Sequence, residues 1–438
     1  MAKKPHLSFW QIWNMSFGFM GVQIGYSLQN GNTSRILSAL GAEVEHLSYF
    51  WLAAPLAGLI VQPIVGLSSD KTWTRLGRRI PFILGGAIAS ALAMLFMPNS
   101  EFFAHLLPPL FFGATMLLFM DTSFNVTMQP FRALVGDMVG EEQRNIGYSI
   151  QSFLINTGAV IGSILPFLLT WFGVSNIPAE GEKVASTVIW SFYIGGAVLL
   201  ASVIITSFTT REYPPEEYAR YHSLKPVIQK TSFSELIKNI PSTMWQLAIV
   251  QFFSWFAFFM MWVYTTPGVA QHVWNTLPGD STSQAYNEAG NWVGVIFAMY
   301  SLFGALFSIV MARFANRFGR KTIYLSSLVI GGIGLISMTI IKDQYTLIYA
   351  MIAVGIAWAA VLAMPYAILS ASLPADKMGV YMGIFNATIT IPQIAAGLLG
   401  ASLLTLFGGK AIVMLGVAGV SMIIAGLSVL FIREKITD

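Results

Sequence analysis

Arg75-Leu76-Gly77-Arg78-Arg79 recurs, 242 residues further on, as Arg317-Phe318-Gly319-Arg320-Lys321. Each copy follows one apolar run and leads into another, at 47–68 and 80–98 for the first and at 291–312 and 322–341 for the second. A membrane span needs about 20 predominantly apolar residues, and all four runs reach that length. The repeat is therefore a short basic loop, turned by a glycine, between consecutive membrane helices. Pro130 and Pro365, 235 residues apart, extend the correspondence to two later runs.

Outward from the two loops, apolar runs stand at 9–29, 47–68, 80–98, 106–128, 146–172, 186–208, 243–266, 291–312, 322–341, 345–370, 379–406 and 411–431, twelve in all. Hydrophobic residues make up 55% of the chain and charged residues 10%, against roughly 25% charged in a soluble domain. The expected fold class is all-α and integral to the membrane, with lipid around most of the surface. The first run leads into Asn30-Gly31-Asn32 without a small-residue cleavage pattern, so it reads as the first span and not as a signal peptide. Placing both termini in the cytoplasm puts 20 of the 24 Lys and Arg residues inside and leaves Arg35, Lys183, Lys342 and Lys410 outside. That asymmetry is the positive-inside pattern of a protein in a plasma or bacterial inner membrane.

The polar stretch 209–241, with Arg211-Glu212-Tyr213-Pro214-Pro215-Glu216-Glu217, reads as a cytoplasmic linker between an N-terminal six-helix bundle, 1–208, and a C-terminal one, 242–438. The longest outside loop is expected over 267–290, with Pro267, Gly268, Pro278 and Gly279. Two similar six-helix halves joined by a cytoplasmic loop describe the major facilitator architecture, whose substrate site lies near the bilayer midplane.

Composition also excludes. The net charge of +4 is spread over short loops and forms no nucleic-acid face. There is no cysteine, and the five histidines fall at segment ends without ligand spacing, so no metal or cofactor is expected. A membrane enzyme would need a nucleophile, a metal or an acid/base pair inside the spans, and one acid, Asp121, stands alone there; the bilayer surrounds the chain, which is expected to act as a monomer.

One acid among the 20 Asp and Glu residues falls deep in a span: Asp121, in Met120-Asp121-Thr122-Ser123-Phe124-Asn125-Val126-Thr127-Met128-Gln129-Pro130-Phe131-Arg132. A carboxylate there costs roughly 2.5–3.5 kcal/mol on insertion scales. At 100° per residue, Asp121, Asn125, Gln129 and Arg132 lie within about 80° of one another, so an acid, two amides and a guanidinium share one stripe. Eleven residues, about 16 Å along the axis, separate Asp121 from Arg132, too far for a pair within the helix. A carboxyl without a cation in low dielectric favours its protonated form, as a proton carrier requires; a neutral acid that binds sugar or packs is the alternative. Arg132 either faces the substrate or snorkels to headgroups.

On the first span, Gln23, Tyr26 and Asn30 recur on one face, where lipid would leave their polar atoms unsatisfied. Gln151, Asn156, Asn386 and Gln393 add amides in the fifth and eleventh spans, as substrate ligands or as polar glue between helices. The seventh span carries Gln251, Ser254, Trp255, Trp262 and Tyr264, and the tenth carries Trp358. A sugar site combines flat apolar faces with amides or a guanidinium, and Trp255 and Trp358 are the expected faces.

Gly66-Leu67-Ser68-Ser69-Asp70-Lys71, continuing to Arg75, Gly77, Arg78 and Arg79, resembles the major facilitator loop signature. Gly66 would permit close helix approach, Gly77 a tight turn, and Asp70 an ion pair with a loop arginine, together making a cytoplasmic gate. A purely topogenic basic loop is the plainer reading. The second copy, with Arg317, Gly319 and Arg320, lacks an acid matching Asp70 and would latch less firmly.

Gly21 to Gln29, the loop Arg75-Leu76-Gly77-Arg78-Arg79-Ile80-Pro81-Phe82-Ile83, the helix pattern from Asp121 to Leu134, and Trp255-Phe256-Ala257-Phe258-Phe259 resemble the plant sucrose/proton symporters and their relatives in solute carrier family 45. The resemblance covers all twelve spans. It implies proton-coupled uptake of a disaccharide glucoside such as sucrose or maltose, with Asp121 as the protonated acid and Arg132 as a substrate or coupling residue. Where many relatives carry an acid after the aromatic run, this chain reads Met260-Met261-Trp262-Val263-Tyr264, so coupling would rest on Asp121 alone. Tyr49 to Ser69 holds no acid, which argues against the sodium coupling of the related melibiose symporters. Proton-independent facilitated diffusion stays open, as does export, and a sugar sensor of this fold would be expected to carry long cytoplasmic extensions.

Overall fold

The computed structural model describes residues 4–222, 240–370, 381 and 384–433. Among them run fourteen α-helices: α1 (Phe9–Ala39), α2 (Leu47–Phe50), α3 (Ala53–Lys71), α4 (Ile80–Phe96), α5 (Pro109–Met138), α6 (Arg144–Trp171), α7 (Ser186–Thr209), α8 (Pro215–His222), α9 (Ser242–Val273), α10 (Gln284–Phe318), α11 (Arg320–Ser337), α12 (Leu347–Ser370), α13 (Ala387–Leu406) and α14 (Ala411–Ser428). Apart from α8, and counting α2 with α3 as one, these are the twelve expected spans. Ten described stretches are long and apolar enough to cross a membrane by length and composition. The other two are α1, diluted by polar residues, and α11, which opens on Arg320 and Lys321.

The chain divides into two compact units, Met1–Gly41 with Leu56–Ile228 and Ala42–Pro55 with Gln229–Asp438. Unit 1 is built around α1, which packs against α6 and α7. The α6 glycines 158 and 162 lie so close that a Cβ on either would collide with the Met20 or Ile24 carbonyl. Small residues at a helix seam let backbones approach where lipid supplies no hydrophobic drive. Unit 2 is built around α9, which is buried without a break from Ser254 to Ala270 and packs against α13 and α14.

Residues 42–55 group with unit 2, although the first six-helix bundle was expected to keep them. Trp51 stands edge-on to Phe259 of α9 with centroids 6.3 Å apart. Ser48 and Leu52 fill the spaces opposite Gly400 and Gly397 of α13. The second span is broken between α2 and α3, and the boundary between the units, at Pro55/Leu56, falls in the first turn of α3.

Several helix ends lie beyond their expected positions, three of them with a plain physical reason. Helix α1 continues past Asn30-Gly31-Asn32 because its polar side chains bond back into it: Asn32 donates to the Leu28 carbonyl at 2.9 Å and Thr33 to that of Gln29 at 2.8 Å. Helix α5 runs through Pro130 to Met138, since Phe131, Leu134, Val135 and Met138 keep burying one apolar face. Helix α9 runs through Pro267 to Val273, which shortens the expected 267–290 loop to 274–283. A proline inside a helix removes one ladder bond, and dense packing on both sides of Pro267 holds the helix together across it.

Candidate functional site

Asp121 is 1% exposed in the middle of α5. Gln29 of α1 reaches it, with Nε2 donating to Oδ1 at 2.6 Å. The other oxygen, Asp121 Oδ2, is buried without a hydrogen-bond partner, and so is Gln29 Oε1. No ion pair among the described residues reaches the carboxyl. One turn on, Asn125 donates to the Asp121 carbonyl at 2.8 Å, and its Oδ1 accepts from Gln62 Nε2 of α3 at 2.6 Å. Three helices thus place two amides and a third in a chain around one acid. A buried carboxylate without a cation is costly, whereas a neutral carboxyl needs a single acceptor for its O–H.

The expected polar stripe of α5 is graded along its length. Asn125 and Gln129 are half-buried, and Arg132 is exposed and engaged. On α1, Gln23, Tyr26 and Asn30 are all half-buried; Gln23 bonds Ser27 at 3.4 Å, and the Tyr26 ring stands edge-on to Phe124 at 5.8 Å. The amide that meets the acid is their neighbour Gln29, three residues after Tyr26 and so about 60° from it around the helix. Gln62, the lone amide of the second span, was visible in the sequence as well. Gln151 is buried and donates to the Phe131 carbonyl at 3.1 Å, which ties α6 to α5. This contact is of the kind expected of polar glue between helices, and it uses one N–H of the Gln151 amide. Asn386 is exposed and accepts from the Tyr366 hydroxyl at 3.2 Å.

In unit 2, Trp255 of α9 and Trp358 of α12 are neighbours, their ring centroids 5.8 Å apart. Phe258, Trp262 and Tyr300 complete a cluster around Trp358.

The Arg75–Arg79 loop is a second polar centre of unit 1. Thr74 and Gly77 exchange backbone hydrogen bonds of 3.0 and 3.1 Å, closing the turn that glycine was expected to make. Gly77 has φ +115°, and Gly319 in the second copy has φ +87°. Arg78 and Arg79 pair with Asp137 of α5, at 2.5 and 2.9 Å, and Arg79 also donates to Ser69 of α3 at 2.5 Å. Tyr218 of α8 donates to the other Asp137 oxygen at 3.2 Å and lies under the Arg78 guanidinium, 3.9 Å from ring centroid to Cζ.

Glu212 closes this cluster. Its Oε1 accepts from the backbone N–H groups of Arg78, Arg79 and Ile80 at 3.0, 2.7 and 2.9 Å. Arg79 is the N-cap and Ile80 the first residue of α4, whose leading amides have no intrahelical partner and carry the positive end of the helix dipole; the Arg78 N–H lies just before them. Burial pushes the Glu212 carboxyl up, against the three amide bonds that pull it down. Neither Asp137 nor Glu212 was legible, because each lies 58 or more residues from its partner.

The gate expectation changes in detail. The Asp70 side chain lies outside the described residues, and among those described Asp137 is an acid that Arg78 and Arg79 meet. A Cβ on Gly66 would meet nothing within 4 Å, so close approach is not what Gly66 provides here. Arg75 is exposed. In the second copy Arg320 donates to the Ala367 carbonyl at 3.0 Å, Lys321 donates to the Ile432 carbonyl at 2.6 Å, and exposed Arg317 lies over Phe318. Arg320 and Lys321 thus end on carbonyls near helix C-termini, where Arg78 and Arg79 of the first copy meet the Asp137 carboxylate.

Two stability predictions follow from the cluster. Glu212→Ala strands the leading amides of α4 and is expected to cost about 2 kcal/mol, the upper end for a lost helix cap. Gly77→Ala would place a Cβ 2.5 Å from Glu212 Oε1 at a φ that disfavours alanine, and is expected to cost at least as much. Unfolding midpoints of the purified protein in detergent check both; midpoints equal to the parent's would contradict the capping assignment.

The profile of the family described as MFS/sugar transport protein matches residues 36–408. The chain is 24% identical to the sucrose transport protein SUC4 of Arabidopsis thaliana, over 93% of this chain and 86% of that protein. It is 27% identical to the general alpha-glucoside permease of Schizosaccharomyces pombe, over 58% of this chain and 46% of the permease. Among solved structures, an inward-facing bacterial homologue of the human lysosomal transporter Spinster superposes with TM-score 0.67 at 14% identity, covering 98% of both chains. The nucleoside transporter NupG superposes with TM-score 0.66 at 14% identity, covering 97% of this chain and 98% of NupG. The structures show the shared fold, that of an all-helical, multi-pass membrane protein.

Proposed function

The chain belongs to the MFS/sugar transport protein family, a family of transporters and not of enzymes, and we propose that it is a proton-coupled symporter that takes up a disaccharide glucoside such as maltose or sucrose. The observation that carries this reading is the Gln29–Asp121 pair, with one 2.6 Å bond made and two buried acceptors left over. A proton on Asp121 Oδ2 would donate to Gln29 Oε1 and complete a reciprocal acid–amide pair, satisfying both. Releasing the proton breaks one of the two bonds and leaves a charge among apolar side chains. The protonated, neutral site therefore favours closing a dry midplane around bound sugar, and loss of the proton favours reopening it.

In this scheme the half-buried polar positions of α1 and α5, Gln23, Tyr26, Asn30, Asn125, Gln129 and Arg132, meet sugar hydroxyls. Trp255 and Trp358 supply the apolar faces, and Asn386 a further polar contact. The loop cluster of Arg78 and Arg79 steadies the cytoplasmic ends of α3, α4 and α5 as the transporter changes state. We place the protein in a plasma or bacterial inner membrane with both termini cytoplasmic, from the distribution of Lys and Arg, and take a monomer to be sufficient. The similarity to sucrose and alpha-glucoside carriers supports the sugar class. At 100 mV a proton contributes roughly 2.3 kcal/mol, enough for a sugar gradient of ~50-fold at ~1.4 kcal/mol per tenfold.

Uptake of labelled maltose and sucrose into proteoliposomes, with a pH gradient imposed and with it collapsed, tests the reading. Accumulation that requires the gradient is expected. Equal, non-concentrative entry in both conditions would make the protein a facilitative carrier, and entry of neither sugar would remove the substrate assignment.

A further inference from the structure

Four rings of unit 2 converge edge-on upon one indole. Trp358 of α12 meets Trp255, Phe258 and Trp262 of α9 at centroid distances of 5.8, 5.1 and 5.9 Å, and Tyr300 of α10 at 6.1 Å, with interplanar angles of 75–86°. The four supporting rings are buried, while Trp358 is half-buried. Backbone packing sets its position. A Cβ on Gly355 would lie 2.5 Å from the Tyr300 carbonyl oxygen, and one on Gly304 would lie 3.2 Å from Trp358 Cδ1. The indole is thus a rigid plate that keeps part of its surface uncovered.

Two polar groups on α9 are left over beside this cluster. Gln251 is 0% exposed and Trp255 is 6% exposed, yet Gln251 Nε2 and Trp255 Nε1 have no acceptor. The Tyr324 hydroxyl donates to Gln251 Oε1 at 3.2 Å, which fixes the amide with its NH₂ as the free end. Trp262 differs, since its Nε1 donates to the Tyr300 hydroxyl at 3.4 Å. Gln251 and Trp255 are four residues apart, so they share a helix face about 6 Å apart along the axis. A buried donor without an acceptor costs free energy until a ligand supplies one.

We propose that Gln251 and Trp255 are the hydrogen-bond donors of a sugar subsite in unit 2, in which one gluco-configured pyranose ring lies on the Trp358 indole. The assignment rests on the sugar-transport reading. Such a ring, with its hydroxyls equatorial, offers a flat C–H face to an indole and hydroxyl oxygens around its edge. Two donors about 6 Å apart reach oxygens on different sides of one ring. Gln251 and Trp255 then set which edge of the ring enters first, and the Gly304–Gly355 contact sets the depth of the plate.

The test is equilibrium binding of radiolabelled maltose to the purified full-length protein, with a monodeoxy-maltose series as competitors. Trp255→Phe keeps a ring and removes the N–H, and Gln251→Leu removes the amide; each is expected to raise the maltose Kd roughly tenfold, the effect of one lost hydrogen bond at a buried site. Trp358→Ala is expected to abolish binding and Trp358→Phe to retain part of it. Trp245→Phe, at a position 58% exposed, serves as the unaffected control. One deoxy analogue is expected to bind the parent about tenfold more weakly than maltose while binding Trp255→Phe as well as maltose does, a coupling that a structural role for Trp255 would not produce. Maltose binding by both donor variants within twofold of the parent would overturn the subsite and leave the transport reading intact. Failure of the parent to bind either maltose or sucrose would overturn both.

Discussion

Asp121→Asn is expected to abolish concentrative uptake and to leave sugar exchange running. The asparagine amide has the shape of the protonated carboxyl. Its Oδ1 can still accept from Gln29 Nε2, at the position of the 2.6 Å bond, and its Nδ2 can donate to Gln29 Oε1, which lacks a partner in the parent. The variant therefore reproduces the neutral, paired state and folds, but it holds no proton to release. Without the proton the ~2.3 kcal/mol available per 100 mV is lost, so the attainable gradient falls from ~50-fold to unity. Counterflow of labelled sugar against unlabelled sugar inside the liposome is expected to persist, since it needs no net proton movement. Full accumulation by Asp121→Asn would refute the assignment of the acid.

Gln29→Leu has the second large effect, and it separates a partner of the acid from a bystander. Removing the amide leaves both oxygens of a fully buried carboxyl without side-chain hydrogen bonds, at an expected cost of 1–3 kcal/mol in stability, together with a fall in uptake of about tenfold or more. The cost comes from stranding a polar group, so removing the other partner as well should recover most of it. The double variant Gln29→Leu with Asp121→Leu is accordingly expected to unfold at higher temperature than Gln29→Leu alone, although it transports nothing uphill. A double variant less stable than either single one would mean that the two side chains do not depend on each other.

Long-range organisation was readable because it is written in period and composition. Apolar runs about 20 residues long, a basic loop repeated at Gly77 and Gly319, and one acid inside a span are local signals that survive without knowledge of packing. Helix ends were less legible wherever tertiary partners outvoted local preference. Asn32 and Thr33 look like a turn until their side chains bond back into α1, and Pro267 looks like a helix stop until both of its flanks are packed. The candidate site divides in the same way. Asp121 stood out as a candidate from the cost of burying it, and Trp255 with Trp358 as candidates from the chemistry that a sugar face would need. Which amide on α1 meets the acid depends on the angle at which α1 crosses α5, and a 60° difference separates Gln29 from the stripe of Gln23, Tyr26 and Asn30. Glu212 and Asp137 had no local mark at all, since a carboxylate near a positive loop acquires its meaning from chain that is distant in sequence.

The central claim is that sugar and proton cross together by way of Asp121, and sugar-driven proton flow tests it most directly. Proteoliposomes enclosing a pH-sensitive dye, with equal pH on both sides and the membrane potential clamped, receive maltose or sucrose from outside. Acidification of the lumen upon sugar addition, present in the parent and absent in Asp121→Asn, is the expected result. Sugar entering the parent vesicles while the luminal pH stays constant would contradict proton coupling.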